Sequence, residues 1–447
     1  MSEQYPISAR QAQLEQMVND LLKEARQQGA SAAEAAVSSD SGLSINVRKG
    51  EVETIEHTRD QGLGITVYFG QRKGTASTSD FKPEAIRETV RAACNIARFT
   101  TDDPCSGLAD ADRMATELPD LDLYHPWDIT PEQAIELGKR CESAALELDP
   151  RISNTEGASI NSHSGLHVYG NSHGFIGGYP SSRHSLSCSV IGQQNGSMQR
   201  DYWYSVSRNA DDLESEFEVG RKAAERTLAR LGARQLSTRQ APVIFRADIA
   251  GSLLRSLVSA ISGSSLYRKA SFLLDHLGEQ VFPAHIQIQE QPRIPRGLGS
   301  AAFDSEGVAT YDKQIIRDGV LQTYLLGSYS ARKLGMQSTA NAGGVHNLNI
   351  TPGEQDLEGL LREMGSGLLV TEMMGHGVNM VTGDYSRGAS GFWVEHGEIQ
   401  YPVEEITIAG NLKQMFARLL AVGCDEERRS SIRTGSLLIE QMTIAGE

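Results

Sequence analysis

Few residues in this chain are of a type and spacing to do chemistry, and most are poorly placed for it. His163 and His167 stand four apart, which would suit two metal ligands on a helix. Gly165, Val168, Tyr169 and Gly170 around them predict a strand instead. Four residues along a strand span about 13 Å, too far for one ion. Gly170-Asn171-Ser172-His173-Gly174 matches the Gly-x-Ser-x-Gly pattern of a nucleophile elbow, which needs a following helix. Phe175-Ile176-Gly177-Gly178-Tyr179-Pro180 comes next and cannot be one, so a hairpin turn is predicted. Ser330-Ala331-Arg332-Lys333 matches Ser-x-x-Lys, a pattern short enough to arise by chance. His376 lies between Gly375 and Gly377, which predicts a turn with positive φ nearby. No histidine is followed by glutamate, so no His-Glu zinc-protease motif exists. Five cysteines, Cys94, Cys105, Cys141, Cys188 and Cys424, form no Cys-x-x-Cys pair and fit reduced thiols.

The elements that would position these residues are legible from periodicity. Apolar spacing predicts helices over 9–28, capped by Ser8 and ended by Gly29, and over 83–99. Thr130-Pro131-Glu132-Gln133 carries a capping box that opens another. Further helices are expected near 212–231, 248–262, 355–364 and 411–421. Residues 43–69 and 151–208 read as strand-rich blocks, so the order helix, strands, helix occurs twice. Lys49-Gly50, Asp318-Gly319 and His396-Gly397 predict hairpin turns. Residues 100–128, rich in Asp, Pro and Gly, read as a linker or long loop. The fold class expected is α+β, with mostly antiparallel sheets and flanking helices. Two domains are expected, 1–236 and 237–447, from the 447-residue length and the polar stretch 235–240.

The formal charge of -15 disfavours nucleic-acid partners. No apolar run is long enough for a membrane span and the first ten residues resemble no signal peptide, so a cytoplasmic protein is expected.

The densest motif is Val381-Thr382-Gly383-Asp384-Tyr385-Ser386-Arg387-Gly388-Ala389-Ser390-Gly391-Phe392-Trp393-Val394-Glu395-His396-Gly397, running on to Leu412. Its small residues would let another backbone approach, and its alternation reads as a half-buried strand. Such a strand could pair with an extended peptide, although the glycines could equally serve a bulge and tight packing. This block resembles the C-terminal signature of the TldD/PmbA metalloprotease family, in its PmbA (TldE) branch. Gly263-Ser264-Ser265, Gly278 to Phe282 and the stretch Asn341 to Asn349 resemble that branch too, and the likeness runs nearly the full length.

The resemblance implies a two-domain family architecture and a zinc subunit with His-Glu-x-x-x-His on a helix, whose histidines bind zinc. Aligned on Leu253-Leu254, Arg255 stands for the first histidine, Ser256 for the glutamate and Ala260 for the second histidine. None can play the original part, since arginine is always charged and alanine offers no ligand atom. The family's zinc subunit also uses a cysteine near its C-terminus, where Cys424 lies here; Cys424 is expected to be a free thiol. The resemblance therefore implies a non-catalytic partner, with no metal of its own, for a TldD-like zinc subunit. The pair would cleave extended or unfolded peptides, as in peptide-antibiotic maturation and antitoxin turnover. Gly388, Ala389, Ser390, Gly391, Phe392, Trp393 and His376 are the expected substrate contacts. Alternatives are a stand-alone homodimeric peptide-binding or scaffolding protein and a hydrolase built on Ser172. The branch is also linked to DNA gyrase; at this charge, that link would run through a peptide.

Overall fold

A computed structural model describes residues 7–446. The first part of the chain runs α1 (Ile7–Gln27), β1 (Ala32–Arg48), β2 (Glu51–Phe69), β3 (Arg72–Thr78) and α2 (Pro83–Phe99). It continues with α3 (Pro131–Leu146), β4 (Ile152–Asn171), β5 (Ile176–Gln194), β6 (Ser197–Ser207) and α4 (Glu216–Ala229). The six strands form one antiparallel sheet in the order β3-β2-β1-β4-β5-β6. The two strand-rich stretches thus meet at β1 and β4. Along β1, Ala33, Ala35 and Val37 pack with apolar residues of α1 and α2. Leu43, Ile45 and Val47, on the same face, pack with α3 and α4. All six positions are odd-numbered, so side-chain alternation alone puts one apolar stripe beneath four helices.

Local sequence chemistry explains most boundaries. α1 is already helical at Ile7, so Ser8 lies inside it and does not cap it, while Gly29 follows its end with φ of +90°. At α3, Gln133 N donates to Thr130 Oγ1 at 3.2 Å and Thr130 N donates to Gln133 Oε1 at 3.0 Å. Thr130→Ala is expected to lower stability by about 1 kcal/mol, seen as a lower urea midpoint at unchanged slope. The three hairpin turns have positive φ at both central residues: 56° and 72° at Lys49-Gly50, 50° and 76° at Asp318-Gly319, and 55° and 78° at His396-Gly397. Such turns match the right-handed twist of the strands they join.

The second part contains β7 (Arg239–Phe245), α5 (Ala247–Ala260), α6 (Gly263–Tyr267), β8 (Ile288–Glu290), β9 (Lys313–Arg317), β10 (Val320–Leu321) and α7 (Ser328–Leu334). Then come β11 (Leu348–Ile350), α8 (Leu357–Met364), β12 (Gly367–Met374), β13 (Asp384–Glu395) and β14 (Glu398–Asn411). The chain ends with α9 (Leu412–Ala417), β15 (Leu419–Val422), β16 (Ile432–Arg433) and β17 (Leu437–Ala445). One sheet is ordered β10-β9-β8-β11-β16 and the other β14-β13-β12-β7-β17-β15. β14 also pairs with β17, so β7, β12, β13, β14 and β17 close on themselves. The fold is α+β and mostly antiparallel, with parallel pairings at β7–β12 and β11–β16.

Residues 100–128 contain no strand and only one short helical turn, Ala111–Arg113. They are nevertheless packed, not free. Leu121 and Leu123 are buried with Tyr169, Phe175 and Phe303. The Arg332 guanidinium donates to the carbonyls of Cys105, Gly107 and Leu108. No helix among the described residues is long and apolar enough to cross a membrane.

Candidate functional site

α5 carries the three positions aligned with a zinc motif. Leu253, Leu254, Leu257 and Ala260 point into the core, and Ala260 is 0% exposed. Arg255 is exposed. Five residues advance a helix about 140° beyond a full turn, which is why Arg255 and Ala260 face different ways. Ser259, also exposed, is the position that shares the Arg255 side. The Ser256 hydroxyl donates to the Ser252 carbonyl at 3.2 Å. Arg255 lies over Gly251: a Cβ there would be 3.9 Å from Arg255 Nη2 and 3.7 Å from the Ile432 carbonyl oxygen. A fixed cation, a hydroxyl bound to its own helix and a buried methyl group do not fit zinc.

Cys424 is an exposed free thiol whose N donates to the Gln355 carbonyl at 2.7 Å. Its loop is tied to the start of α5. Asp425 accepts from Ser436 N and Oγ, and Ser436 Oγ in turn accepts from Ala247 N at 3.0 Å. Among the described residues no three His, Cys, Asp or Glu side chains converge as a metal would require.

The glycine-flanked strand sits differently from the expectation that it could take up a peptide. Gly388 to Trp393 belong to β13, which pairs with β12 on one side and β14 on the other. Both edges are consumed, so no peptide strand can be added there. Nor is the strand half-buried. Ala389 and Trp393 point into the main core, while Phe392 and Val394 pack under α8. Gly391 is required by packing, since a Cβ would lie 1.9 Å from the Leu369 carbonyl oxygen. Trp393 is clamped by the Arg239 guanidinium 4.9 Å from its ring and donates from Nε1 to Glu395 at 2.9 Å. Ser390 and Gly391 are buried; Gly388, opposite Met374, is partly open. His376 is exposed in the loop that continues from Met374, where Gly375 has φ of +74°. The structure therefore brings His376 and Gly388 to one end of β12 and β13. Trp393 lies about 16 Å further along the strand.

The other chemical patterns have structural partners. Gly170 to Gly174 form the β4–β5 turn, in which Ser172 Oγ accepts from Ala33 N at 3.1 Å. His163 and His167 are exposed on one face of β4, and His163 lies 3.5 Å from Asp40. Ser330 and Lys333 do stand on a helix, α7, but Lys333 pairs with Asp103 at 3.0 Å and Ser330 Oγ donates to the Gly327 carbonyl.

One cluster went unseen in the sequence. Glu290 on β8 is 0% exposed and accepts from Lys313 Nζ at 2.6 Å, from Asn341 Nδ2 at 2.9 Å and from His346 N at 2.6 Å. His346 Nδ1 lies 2.9 Å from the same carboxylate. Burial alone would push this carboxyl up; the His346 and Lys313 contacts outweigh it and hold the pKa at about 2. The stretch Asn341 to Asn349, read as a family resemblance, thus wraps a buried charge. A lone Glu inside Ile288-Gln289-Glu290 was the only available signal.

The first half is one antiparallel sheet with four helices on one face, and the second contains a closed strand ring. Family models agree along the chain: the PmbA/TldA metallopeptidase domain 1 over 33–97, its central domain over 124–231 and its C-terminal domain over 238–446. The chain is 55% identical to Metalloprotease PmbA of Escherichia coli O157:H7, covering 93% of this chain and 92% of that protein. It is 54% identical to a Metalloprotease PmbA homolog of Haemophilus influenzae over 98% of each. A Bacteroides thetaiotaomicron crystal structure described as a modulator of DNA gyrase matches with TM-score 0.92 and 30% identity, over 97% of this chain and 98% of that one. This chain belongs to the PmbA/TldD metallopeptidase family. That family also includes chains named TldD and TldE.

Proposed function

We propose that this chain is the metal-free member of a heterodimer with a TldD-like zinc subunit, and that peptide hydrolysis belongs to the pair. The observation carrying this reading is α5, where Arg255, Ser256 and the buried Ala260 occupy the aligned ligand positions. A guanidinium beside a vacated site would repel a divalent cation. The zinc, and the water it activates, would then come from the sister. This chain's part is to complete the enclosure that admits extended or unfolded peptides.

On this reading the chain works in the cytoplasm as two domains, 1–236 and 237–447. Its substrates are those of the family, a peptide-antibiotic precursor and antitoxins. Contact with peptide comes through exposed groups at the β12–β13 end, His376 and Gly388, and not through strand addition to β13. The net charge of -15 argues that any effect on gyrase passes through a peptide substrate.

The test is a peptidase assay on an unfolded peptide. Neither this chain nor its substrate alone should yield product, and mixing this chain with its zinc-bearing sister should give cleavage abolished by a chelator. Chelator-sensitive cleavage by this chain alone would overturn the reading.

A further inference from the structure

Between the C-terminal part of α1 and the β4–β5 turn lies a cavity of about 460 Å³. Its charge is unlike that of the molecule around it. The chain carries 57 acidic and 42 basic residues, yet no Asp or Glu lines this cavity. Lys23, Arg26 and His173 line it instead. The cavities beside Trp203 and beside Tyr68 hold both signs of charge.

The fold brings these groups together from two elements. Lys23 and Arg26 are three apart, so they share one side of α1. Ser172 and His173 form the tip of the turn whose Gly-x-Ser-x-Gly pattern serves no nucleophile. That tip is held firmly. Ser172 N donates to the Ala33 carbonyl at 2.8 Å, and Ala33 N donates to Ser172 Oγ at 3.1 Å. His173 N donates to Asn171 Oδ1 at 3.1 Å. Ser172 Oγ thus accepts from the backbone, and among the described residues its own proton has no acceptor. Among those residues Arg26 pairs with no carboxylate, and Lys23 meets only Asp20, at 3.9 Å in open solvent. An exposed contact of that kind holds an ammonium weakly.

Basic residues near a helix C-terminus can serve only to offset the helix dipole. Here the last carbonyls already have partners: Gln28, Gly29 and Ala30 donate from N to the carbonyls of Glu24, Arg26 and Ala25. Nor does the dipole give a reason for a histidine and a hydroxyl to face the same space from another element.

We propose that this cavity binds the phosphate group of a small organic phosphomonoester. The planar fork of Arg26 matches two phosphate oxygens, and Lys23 adds a second charge. The His173 ring and the Ser172 hydroxyl donate from the opposite wall. Leu22, Ala30 and Ala33 leave apolar surface for the organic part. A bare phosphate would leave much of the space empty, and the volume is that of a small-molecule pocket. The site is independent of the zinc-partner reading.

The test is calorimetric titration of the full chain with phenyl phosphate, inorganic phosphate and benzoate at one fixed ionic strength. Phenyl phosphate should bind saturably at one site per chain, inorganic phosphate more weakly, and benzoate with no saturable heat. Arg26→Ala should weaken phenyl phosphate roughly tenfold, as for the loss of one charge-assisted hydrogen bond. Adding His173→Ala to it should abolish binding. Both positions are exposed, so the circular dichroism spectrum should not change. Arg221→Ala, which removes an exposed cation from α4, should leave binding as it is. No saturable heat from the parent, binding that survives the double substitution, or an equal loss in Arg221→Ala overturns the proposal. Benzoate binding as tightly as phenyl phosphate overturns the phosphate assignment, and inorganic phosphate binding as tightly overturns the organic part.

Discussion

Lys313→Met is expected to destabilise the protein by about 3–5 kcal/mol, because it leaves a fully buried carboxylate without its cation. The Lys313 side chain is 5% exposed and that of Glu290 0%, so solvent cannot take the place of the lost partner. Asn341 and His346 would still bond the carboxylate, which sets the lower end of the range. The same cluster predicts acid sensitivity. The folded Glu290 carboxyl, at about 2, lies below the unfolded value of about 4.3. Its contribution is therefore fully present above the unfolded value and lost as pH falls from about 4.3 to about 2. Chemical denaturation of the parent and Glu290→Gln across that window should show the parent losing more stability with acid. Parallel pH profiles would show that Glu290 is not held ionised.

Gly391→Val is expected to prevent the strand ring from closing. Even a Cβ would sit 1.9 Å from the Leu369 carbonyl oxygen and 2.9 Å from Val370 Cα, both backbone atoms of β12 that cannot swing away. Overpacking by ordinary side-chain crowding costs about 1–3 kcal/mol. A clash with paired backbone exceeds that range, so the variant should be insoluble or lack a cooperative thermal transition. Gly388→Ala is the control. Its Cβ would meet only Met374 atoms, the nearest at 3.4 Å, and its melting temperature should stay near the parent's. Equal effects at the two positions would contradict the packing role assigned to Gly391.

The local features were legible because each rests on a few adjacent residues. The Thr130 capping box and the three positive-φ hairpins need only their own side chains and backbone. The closed ring was not legible. β7 and β17 pair across some 200 residues, Val243 against Ile439, and no periodicity encodes which strands meet. That missing pairing is why the sequence left the Gly388 to Trp393 strand open between pairing with a peptide and serving a bulge with tight packing, whereas both its edges are taken. The Glu290 cluster was hidden for the same reason, since Lys313 and His346 lie 23 and 56 residues away. For the positions aligned with zinc ligands, the sequence gives only the residue types, Arg255, Ser256 and Ala260. Helix rotation then added that Arg255 and Ala260 do not share a face.

The most direct measurement is the zinc content of each subunit after a chelator-free purification of the mixed pair, separated under mild conditions and analysed by elemental mass spectrometry. The account predicts about one zinc on the sister and a background level on this chain, with or without added zinc. Stoichiometric zinc on this chain would contradict it, and would mean that its ligands lie outside Arg255, Ser256 and Ala260.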